Sequence, residues 1–303
     1  AVGDEFANDT TSFVNAISYL QNNPSNKLYN GGTLYIPKGV YKINQELFIQ
    51  STGTTTSSSS NNISIKGDGP YSTSLDFSSA PAGSNGIRYQ NGANFSIEDI
   101  AIFNAPQSGI YLGDIPTSNY CLQFSIKNVQ CKSCGIHGIN APLAYLGTIQ
   151  DCFLNGNGQH GLNLDGFHTS MDVSRVACSS NAGNGFNLNG LVYSSFTACA
   201  SDQNTYAGYA VSNCNGVTFD GCGCESNQRD GWFLTTSTAS TTGIPSESHN
   251  IRGVVFNGCV GLFNSQSSAG TYGNFIRATT SDSRPMQFIV NGGSSSSSVA
   301  GNT

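Results

Sequence analysis

The chain has 303 residues, of which 10% are charged, and its formal net charge is −6. This acidic balance argues against nucleic-acid binding, because neutralising phosphates requires a stripe of basic residues. The sequence has no apolar run close to the ~20 residues of a membrane span, so we expect no membrane insertion. Its first residues do not resemble a signal peptide, and we expect a processed chain or a piece of a longer one.

A short amphipathic helix is predicted near the start of the chain. Apolar residues keep helical spacing over residues 10–20, and Asp9 or Thr10 is suited to the N-cap. Short strands with alternating apolar residues follow at residues 33–36, 63–65 and 87–89, with long excursions between them. Residues 51–60 and 235–250 are rich in small polar residues, and we predict that both segments are loops.

The second half of the chain repeats at a regular interval. A glycine precedes a short apolar alternation in each repeat, and successive glycines are 23, 24, 23 and 23 residues apart from the second onward. These glycines are Gly109, Gly138, Gly161, Gly185, Gly208 and Gly231. A period near 23 with period-2 alternation inside it is typical of one coil of a β-helix.

The sequence therefore predicts an all-β fold, a right-handed parallel β-helix of about ten coils over residues 31–290. The open end of such a solenoid exposes its core and its strand edges, so it needs a cap. We assign residues 1–30, with the helix at 10–20, to this N-terminal cap. The Ser/Gly-rich residues 291–303 are assigned to a C-terminal tail.

Equivalent positions of successive coils form columns. Asparagines stand four residues before the glycines, and they predict a ladder of stacked amides: Asn157, Asn181, Asn204, Asn227 and then Asn264. Most of the ten cysteines share columns with Val, Ile and Leu, which favours buried thiols in the core over disulfides. The cysteine spacing does not support a metal site, because the close pairs have no matched second pair.

One outward column carries two carboxylates in adjacent coils. Six residues before the glycines stand Lys132, Asn155, Ser179, Asp202 and Glu225. Two carboxylates at that spacing disfavour double ionisation, so one keeps its proton near neutral pH, as acid/base cleavage of a glycosidic bond requires. The alternative is that Asp202 and Glu225 are solvated turn residues beside the Asn ladder.

Further candidate groups lie near this column. His137 and His160 fall in one column and can act as base or sugar-binding donor, or as ordinary turn residues. Arg229 and Asp230 follow Glu225 closely, and they complete the densest charged cluster of the chain. The pair Asp165 and His168 and the outward aromatics Tyr111 and Phe233 are additional sugar-binding candidates, and Trp232 is predicted to lie in the core.

The start of the chain carries motifs of a known superfamily. Residues 1–10 (AVGDEFANDT), 31–41 (GGTLYIPKGVY) and 65–69 (IKGDG) resemble the first elements of pectate-lyase-like parallel β-helix proteins. Glu5 and Asn8 depart from the commonest pattern, which has Gly and Asp there. Within that superfamily the Ser/Thr/Asn/Gly-rich surface and the long polar loops look most like a bacteriophage tailspike.

The resemblance implies a homotrimeric receptor-binding protein that binds and hydrolyses a bacterial surface polysaccharide. It also implies a place on the virion tail, with secretion as the alternative. Neither the calcium site of pectate lyases nor the catalytic series of polygalacturonases has a clear counterpart here, so we expect no cofactor and no metal. A uronate lyase or epimerase with Lys132, Arg229 or a histidine as base, and a non-catalytic glycan-binding spike, remain alternatives.

Overall fold

The computed structural model describes residues 1–22, 31–50, 62–115, 118–236, 250–264, 275–280 and 286–296. The predicted loop at 51–60 lies outside these ranges. So do residues 237–249 of the second predicted loop and residues 297–303 of the predicted tail. Within the described ranges, no helix has the length and hydropathy that a membrane span requires.

The predicted cap helix is present at the start of the chain. Strand β1 (Asp4–Asn8) leads into helix α1 (Thr10–Asn22), which ends two residues later than predicted. The carbonyl oxygen of Asp9 accepts the N–H groups of Ser12 and Phe13, so Asp9 occupies the N-cap. Phe13 and Ile17 are buried, and the Phe13 ring meets the Tyr41 ring edge-on at 5.4 Å. The helix thereby covers the first coil.

The strands after the cap form three faces, and every pairing between them is parallel. Face 1 consists of β2 (Gly32–Tyr35), β5 (Ile63–Lys66), the first part of β9 (Ser96–Phe103), the first part of β12 (Ser125–Lys132), β15 (Thr148–Gln150), β18 (Asp172–Ser174), the end of β20 (Phe186–Thr197), β23 (Asn215–Asp220), β26 (Ile251–Asn257) and β29 (Met286–Asn291).

Face 2 follows face 1 in each coil. It consists of β1, β3 (Gly39–Lys42), β6 (Thr73–Asp76), the second parts of β9 and β12, β16 (Phe153–Asn155), β19 (Ala177–Ser179), β21 (Ala200–Asp202), β24 (Gly223–Glu225), β27 (Val260–Leu262) and β30 (Ser294–Ser296). Strand β30 pairs with β27, so the solenoid continues past residue 290 into the predicted tail. Serine side chains do not prevent this pairing, because the ladder is made by backbone groups.

Face 3 completes the coil. It consists of β4 (Leu47–Gln50), β7 (Ile87–Gln90), β10 (Ile110–Leu112), β13 (Ile139–Asn140), β17 (Leu162–Thr169), the first part of β20, β22 (Tyr209–Ser212), β25 (Trp232–Thr236) and β28 (Ile276–Thr280). Short strands continue it towards face 1: β8 (Gly92–Ala93), β11 (Cys121–Leu122) and β14 (Ala144–Tyr145). The predicted loop at 235–250 therefore begins later, because Thr235 and Thr236 still belong to β25.

One core column of face 1 has one member in each coil, so its members give the number of coils. Its ten members pair in unbroken register: Leu34, Ile65, Ile97, Ile126, Ile149, Val173, Phe196, Phe219, Phe256 and Val290. The predicted number of coils is thus confirmed. The column is aliphatic in the first six coils, aromatic in the next three and ends in Val290. In the aromatic part, Phe196, Phe219 and Phe256 stack at centroid distances of 5.0 and 5.1 Å.

Each corner of the coil turns through a left-handed residue. Between faces 1 and 2 these residues are Asp99, Asn128, Asp151, Arg175, Ala198, Gly221 and Gly258. Between faces 3 and 1 they are Gln123, Leu146, Ser170, Tyr193, Gly216 and Gly253. A left-handed backbone reverses the chain direction within few residues, and it disfavours side chains with a Cβ other than those of Asn and Asp.

The core contains the residues that the columns predict. All ten cysteines are buried free thiols, so the prediction of core thiols is confirmed. Burial raises the pKa of the Cys134 thiol to about 12, which keeps it protonated. Trp232 is fully buried as predicted and stacks on Tyr209 at 4.8 Å. Because it is buried, Trp232 is not available to contact a ligand on the outer surface.

Candidate functional site

The predicted carboxylate column lies on face 2 in the predicted register. Lys132, Asn155, Ser179, Asp202 and Glu225 are successive backbone partners in β12, β16, β19, β21 and β24. Parallel strands of adjacent coils lie ~4.8 Å apart. The carboxylates of Asp202 and Glu225 are therefore neighbours on one wall, with Lys132 three coils before Asp202 in the same column.

The two carboxylates have different surroundings. Asp202 is half-buried, and burial followed by the charge of Glu225 raises the pKa of its carboxyl group. Glu225 is exposed. In the part of the chain that the structure describes, neither forms an ion pair with Lys or Arg. A raised pKa at one carboxyl beside a second, exposed carboxylate is the arrangement that acid/base chemistry uses.

The Asn ladder fixes the backbone behind this column. Asn204 lies two residues after Asp202 and is fully buried. Its Nδ2 donates to Asn227 Oδ1 at 2.9 Å and its Oδ1 accepts from Asn181 Nδ2 at 2.9 Å. The same bonds continue from Asn227 to Asn264. The predicted ladder is confirmed, and it holds adjacent coils of the carboxylate column in one register.

The two predicted histidines are stacked neighbours. The rings of His137 and His160 lie 5.1 Å apart and nearly parallel. His137 Nδ1 accepts the His160 N–H at 3.3 Å, and His160 Nδ1 accepts the Asn184 N–H at 2.9 Å. Burial lowers the pKa of His137 to about 3 and that of His160 to about 4. Both rings therefore act here as neutral acceptors that join adjacent coils.

Arg229 and Asp230 lie apart from the carboxylate column. Arg229 is exposed, and its guanidinium group covers the Tyr206 ring at 4.2 Å. Asp230 is buried at the start of face 3, where its Oδ2 accepts from Arg277 Nε at 2.7 Å. Arg277 also lies over Phe233 at 4.2 Å. The cluster predicted from sequence proximity is thus divided between the turn and face 3, and Asp230 has a cationic partner in the next coil.

Tyr111 belongs to a second polar cluster on face 3. Arg88 lies over the Phe48 ring at 5.2 Å and over the Tyr111 ring at 5.4 Å. Its guanidinium group is 3.7 Å from Glu46 Oε1 and 4.0 Å from Asp114 Oδ2. Burial raises the pKa of Tyr111. Of these residues, Tyr111 alone is a candidate predicted from the sequence.

Asp165 and His168 point to opposite sides of β17. Asp165 is partly exposed, and its Oδ1 accepts from Asn189 Nδ2 at 2.8 Å. His168 is fully buried, because it continues the inward alternation of Leu162 and Leu164, whereas Asp165 lies on the outer side. The expectation that His168 accompanies Asp165 on an outer face is therefore wrong. Among the described residues, no group of three or more His, Cys, Asp or Glu side chains is placed to hold a metal ion.

Comparisons with known proteins give matches in structure. No protein-family model and no curated protein matches the sequence. The N-terminal fragment of bacteriophage Phi29 gene product 12 superposes with a TM-score of 0.66 at 13% identity, over 97% of this chain and 56% of that chain. The A-module of the Azotobacter vinelandii mannuronan C-5 epimerase AlgE4 superposes with a TM-score of 0.56 at 13% identity, over 98% and 94%.

A tailspike is also similar in structure. Full-length tailspike protein 2 of Escherichia coli O157:H7 bacteriophage CAB120 superposes with a TM-score of 0.56 at 12% identity, over 95% of this chain and 41% of that chain. The chain thus spans about half of each of these two phage proteins. At such low identities the similarity establishes the fold and leaves activity open. The chain has the right-handed parallel β-helix fold that the sequence resemblance predicts and that the tailspike and the epimerase module share.

Proposed function

We propose that this chain binds and hydrolyses a bacterial surface polysaccharide, a capsule or an O-antigen, on face 2 of its β-helix. The observation that carries the proposal is the register of Asp202 and Glu225, which makes them neighbours in adjacent coils. Half-burial and a raised pKa at Asp202 support it further. By the resemblance to tailspikes we extend the proposal to a homotrimeric receptor-binding protein on the virion tail, with secretion as the alternative.

The proposed chemistry assigns one role to each carboxyl group. Asp202 keeps its proton to a higher pH than an ordinary aspartic acid, so it is the general acid that protonates the leaving glycosidic oxygen. Glu225 is the exposed carboxylate that attacks the anomeric carbon as the glycosidic bond breaks, and water then hydrolyses the resulting glycosyl ester while the Asp202 carboxylate takes up the proton of the water. The ~4.8 Å spacing of adjacent coils is closer to the ~5–5.5 Å carboxyl separation of retaining glycosidases than to the ~6.5–9.5 Å of inverting ones. We therefore propose retention of the anomeric configuration.

The other candidates have supporting roles in this proposal. Lys132 is exposed in the same column and can bind an acidic or hydroxylated sugar further along the wall. Arg229 and Asp165 remain candidate sugar-binding residues on neighbouring surfaces. His137 and His160 are proposed to hold the adjacent coils in register, because their Nδ1 atoms accept backbone N–H groups. Asp230 is proposed to fix Arg277 on face 3.

Incubation with purified capsule and O-antigen polysaccharides tests this proposal. Hydrolysis gives fragments whose masses include one added water for each bond broken. Unsaturated fragments that absorb in the ultraviolet would instead identify a lyase, and an epimerised but intact polymer would identify an epimerase. Binding without any change in the polymer would identify a non-catalytic spike. Each of these three results would overturn hydrolysis.

A further inference from the structure

The corner between faces 3 and 1 carries a row of exposed or partly buried aromatic and apolar side chains. Tyr120, Tyr145, Leu146, Phe167 and Tyr193 succeed one another along four coils, and we name this row the aromatic ridge. The Tyr120 and Tyr145 rings lie 5.4 Å apart, and the Tyr145 and Phe167 rings lie 6.1 Å apart. The ridge lies across the solenoid from face 2, so it is separate from the carboxylate column.

Two members of the ridge are placed at a cost in stability. Leu146 and Tyr193 have φ angles of 56° and 51°, in the left-handed region that disfavours residues of this shape. They are also 52% and 76% exposed. The equivalent positions of the next two coils are Gly216 and Gly253, which adopt this backbone without strain. Contact with a ligand would account for bulky apolar groups at strained and solvated corners.

The surroundings of the ridge suit a saccharide. None of the five ridge residues is charged, and each tyrosine offers an apolar ring face with a polar hydroxyl group at its edge. Two hydrogen-bonding groups lie beside the ridge on face 3. There Asn189 Nδ2 donates to Asp165 Oδ1 at 2.8 Å, and both side chains are partly exposed. Ring faces next to amide and carboxylate groups match the C–H faces and hydroxyl groups of sugars.

The Tyr193 ring lies beside a glycine of the next coil. A Cβ added to Gly216 would lie 3.4 Å from Tyr193 Cδ1, so the ring lies close to the Gly216 backbone. Gly253 continues this floor in the next coil, because its added Cβ would lie 3.8 Å from the Gly216 backbone. The glycines add no side chain against the Tyr193 ring, and the residue is 76% exposed, so a flat sugar ring can stack on it.

A protein partner fits the ridge less well than a saccharide. Stable protein interfaces use ~20–30 residues on each side. The ridge is one side chain wide and has five members. We propose that the aromatic ridge is a second binding site, which takes neutral saccharide residues of a polysaccharide. Since it adds a site to the proposed glycan binding, this inference rests on the proposed function.

The test uses a substitution that relieves backbone strain while it removes the ligand contact. Tyr193→Gly is made in the Asp202→Asn background, which blocks turnover during binding. Ala198→Gly in the same background is the matched control, because Ala198 has a φ of 50° at an exposed corner between faces 1 and 2. Both chains are expected to unfold at the same or a higher temperature than their parent.

Binding is measured on an array of bacterial capsular and O-antigen polysaccharides, and affinity is then measured by calorimetry on the neutral polysaccharide that binds best. We expect at least tenfold weaker binding for Tyr193→Gly, unchanged binding for Ala198→Gly, and little change with added salt. The proposal that the ridge binds neutral saccharides would be overturned by equal binding of both variants, by binding to polyanions alone, or by no binding at all. Turnover by the chain with Asp202 intact is scored separately. If binding depends on Tyr193 but the polysaccharide is not cleaved, the proposed hydrolysis is refuted and the proposed saccharide binding by the ridge is supported.

Discussion

Two polar columns run side by side through the same coils and have opposite environments. Asn204 and Asn227 lie two residues after Asp202 and Glu225, on the inner side of the same turn. Both asparagines are fully buried, and their amide groups bond to the coils before and after. Asp202 is half-buried and Glu225 is exposed, and neither pairs with a cation among the described residues.

The difference shows what a repeat contributes to structure and to function. A buried polar group must find partners, so the inner column has amides that both donate and accept. Ionised carboxylates accept hydrogen bonds without donating any, and stacked carboxylates repel each other. A carboxylate pair therefore stabilises nothing by itself. The presence of this carboxylate pair on a wall with few charges favours a chemical role over a structural one.

The largest expected effect is on activity. Asp202→Asn and Glu225→Gln should each lower the rate of polysaccharide cleavage by about 10²–10⁴-fold, because each removes a group that transfers a proton or forms a bond. Neither should lower the thermal unfolding temperature, since Asp202→Asn relieves a buried charge. Asp220→Asn on the exposed side of face 1 is the matched control and should keep full activity. The rate of release of reducing ends is measured for all three variants. Equal rates in the three variants would contradict catalysis by Asp202 and Glu225.

Substitutions in the inner column of buried asparagines should lower stability. Asn204→Ala leaves the buried N–H of Asn181 without its acceptor and removes the side-chain bonds of Asn204 to Asn181 Nδ2 and Asn227 Oδ1. We expect a loss of about 3 kcal/mol or more in the free energy of unfolding, measured with urea. Asn155→Ala, at a partly exposed site of the outer column, should cost less than about 1 kcal/mol. Similar losses in both variants would refute the distinction between the columns.

The histidine column should make stability sensitive to acid. The pKa of His160 is lowered from 6.5 to about 4, so its contribution is fully present above pH 6.5 and declines as the pH falls towards 4. The decline is at most about 1.4 kcal/mol for each pH unit per histidine. His160→Asn keeps an acceptor like that of Asn184 and should show a shallower decline between pH 7 and pH 4.

Urea unfolding at several pH values measures this slope. His137 and His168 still titrate in the variant, since burial also lowers the pKa of both. The remaining acid sensitivity is therefore expected. Parallel curves for the variant and the original chain would show that His160 does not act as a neutral acceptor in this column.

The smallest expected effect concerns the cysteines. All ten are buried free thiols, so a reducing agent should change the unfolding temperature by less than about 1 °C. A thiol reagent should modify the unfolded chain quickly and the native chain slowly, because burial keeps the thiols protonated and inaccessible. A large decrease in unfolding temperature on reduction would show that disulfides support the core.

The regular coils explain how much of the structure was predictable. Between Asn157 and Asn227 the ladder partners are 24, 23 and 23 residues apart, so counting residues gives the correct columns. In the first coils the spacing varies, as in the Lys42–Asp76 pair at 34 residues and the Lys66–Glu98 pair at 32. Counting loses the register there. Glu46 and Phe48 were not placed beside Arg88 for this reason, since Phe48 pairs with Arg88 across a longer interval.

Sequence proximity also predicted some contacts that the fold does not make. Arg229 and Asp230 are adjacent, and one is exposed while the other is buried. The cation that pairs with Asp230 is Arg277, which is 47 residues further along and becomes a neighbour only when the coils stack. His168, by contrast, is buried as the alternation of Leu162 and Leu164 predicts, so its pairing with Asp165 on one face could have been rejected from the sequence.

Cleavage in ¹⁸O-labelled water tests the central proposal most directly. If Asp202 and Glu225 hydrolyse the polysaccharide, each new reducing end produced by the intact chain carries one ¹⁸O atom, and mass spectrometry detects it. The Asp202→Asn and Glu225→Gln variants should give such ends at least a hundredfold more slowly. Unlabelled fragments with ultraviolet absorbance, or labelled fragments formed equally fast by both variants, would contradict hydrolysis by this carboxylate pair.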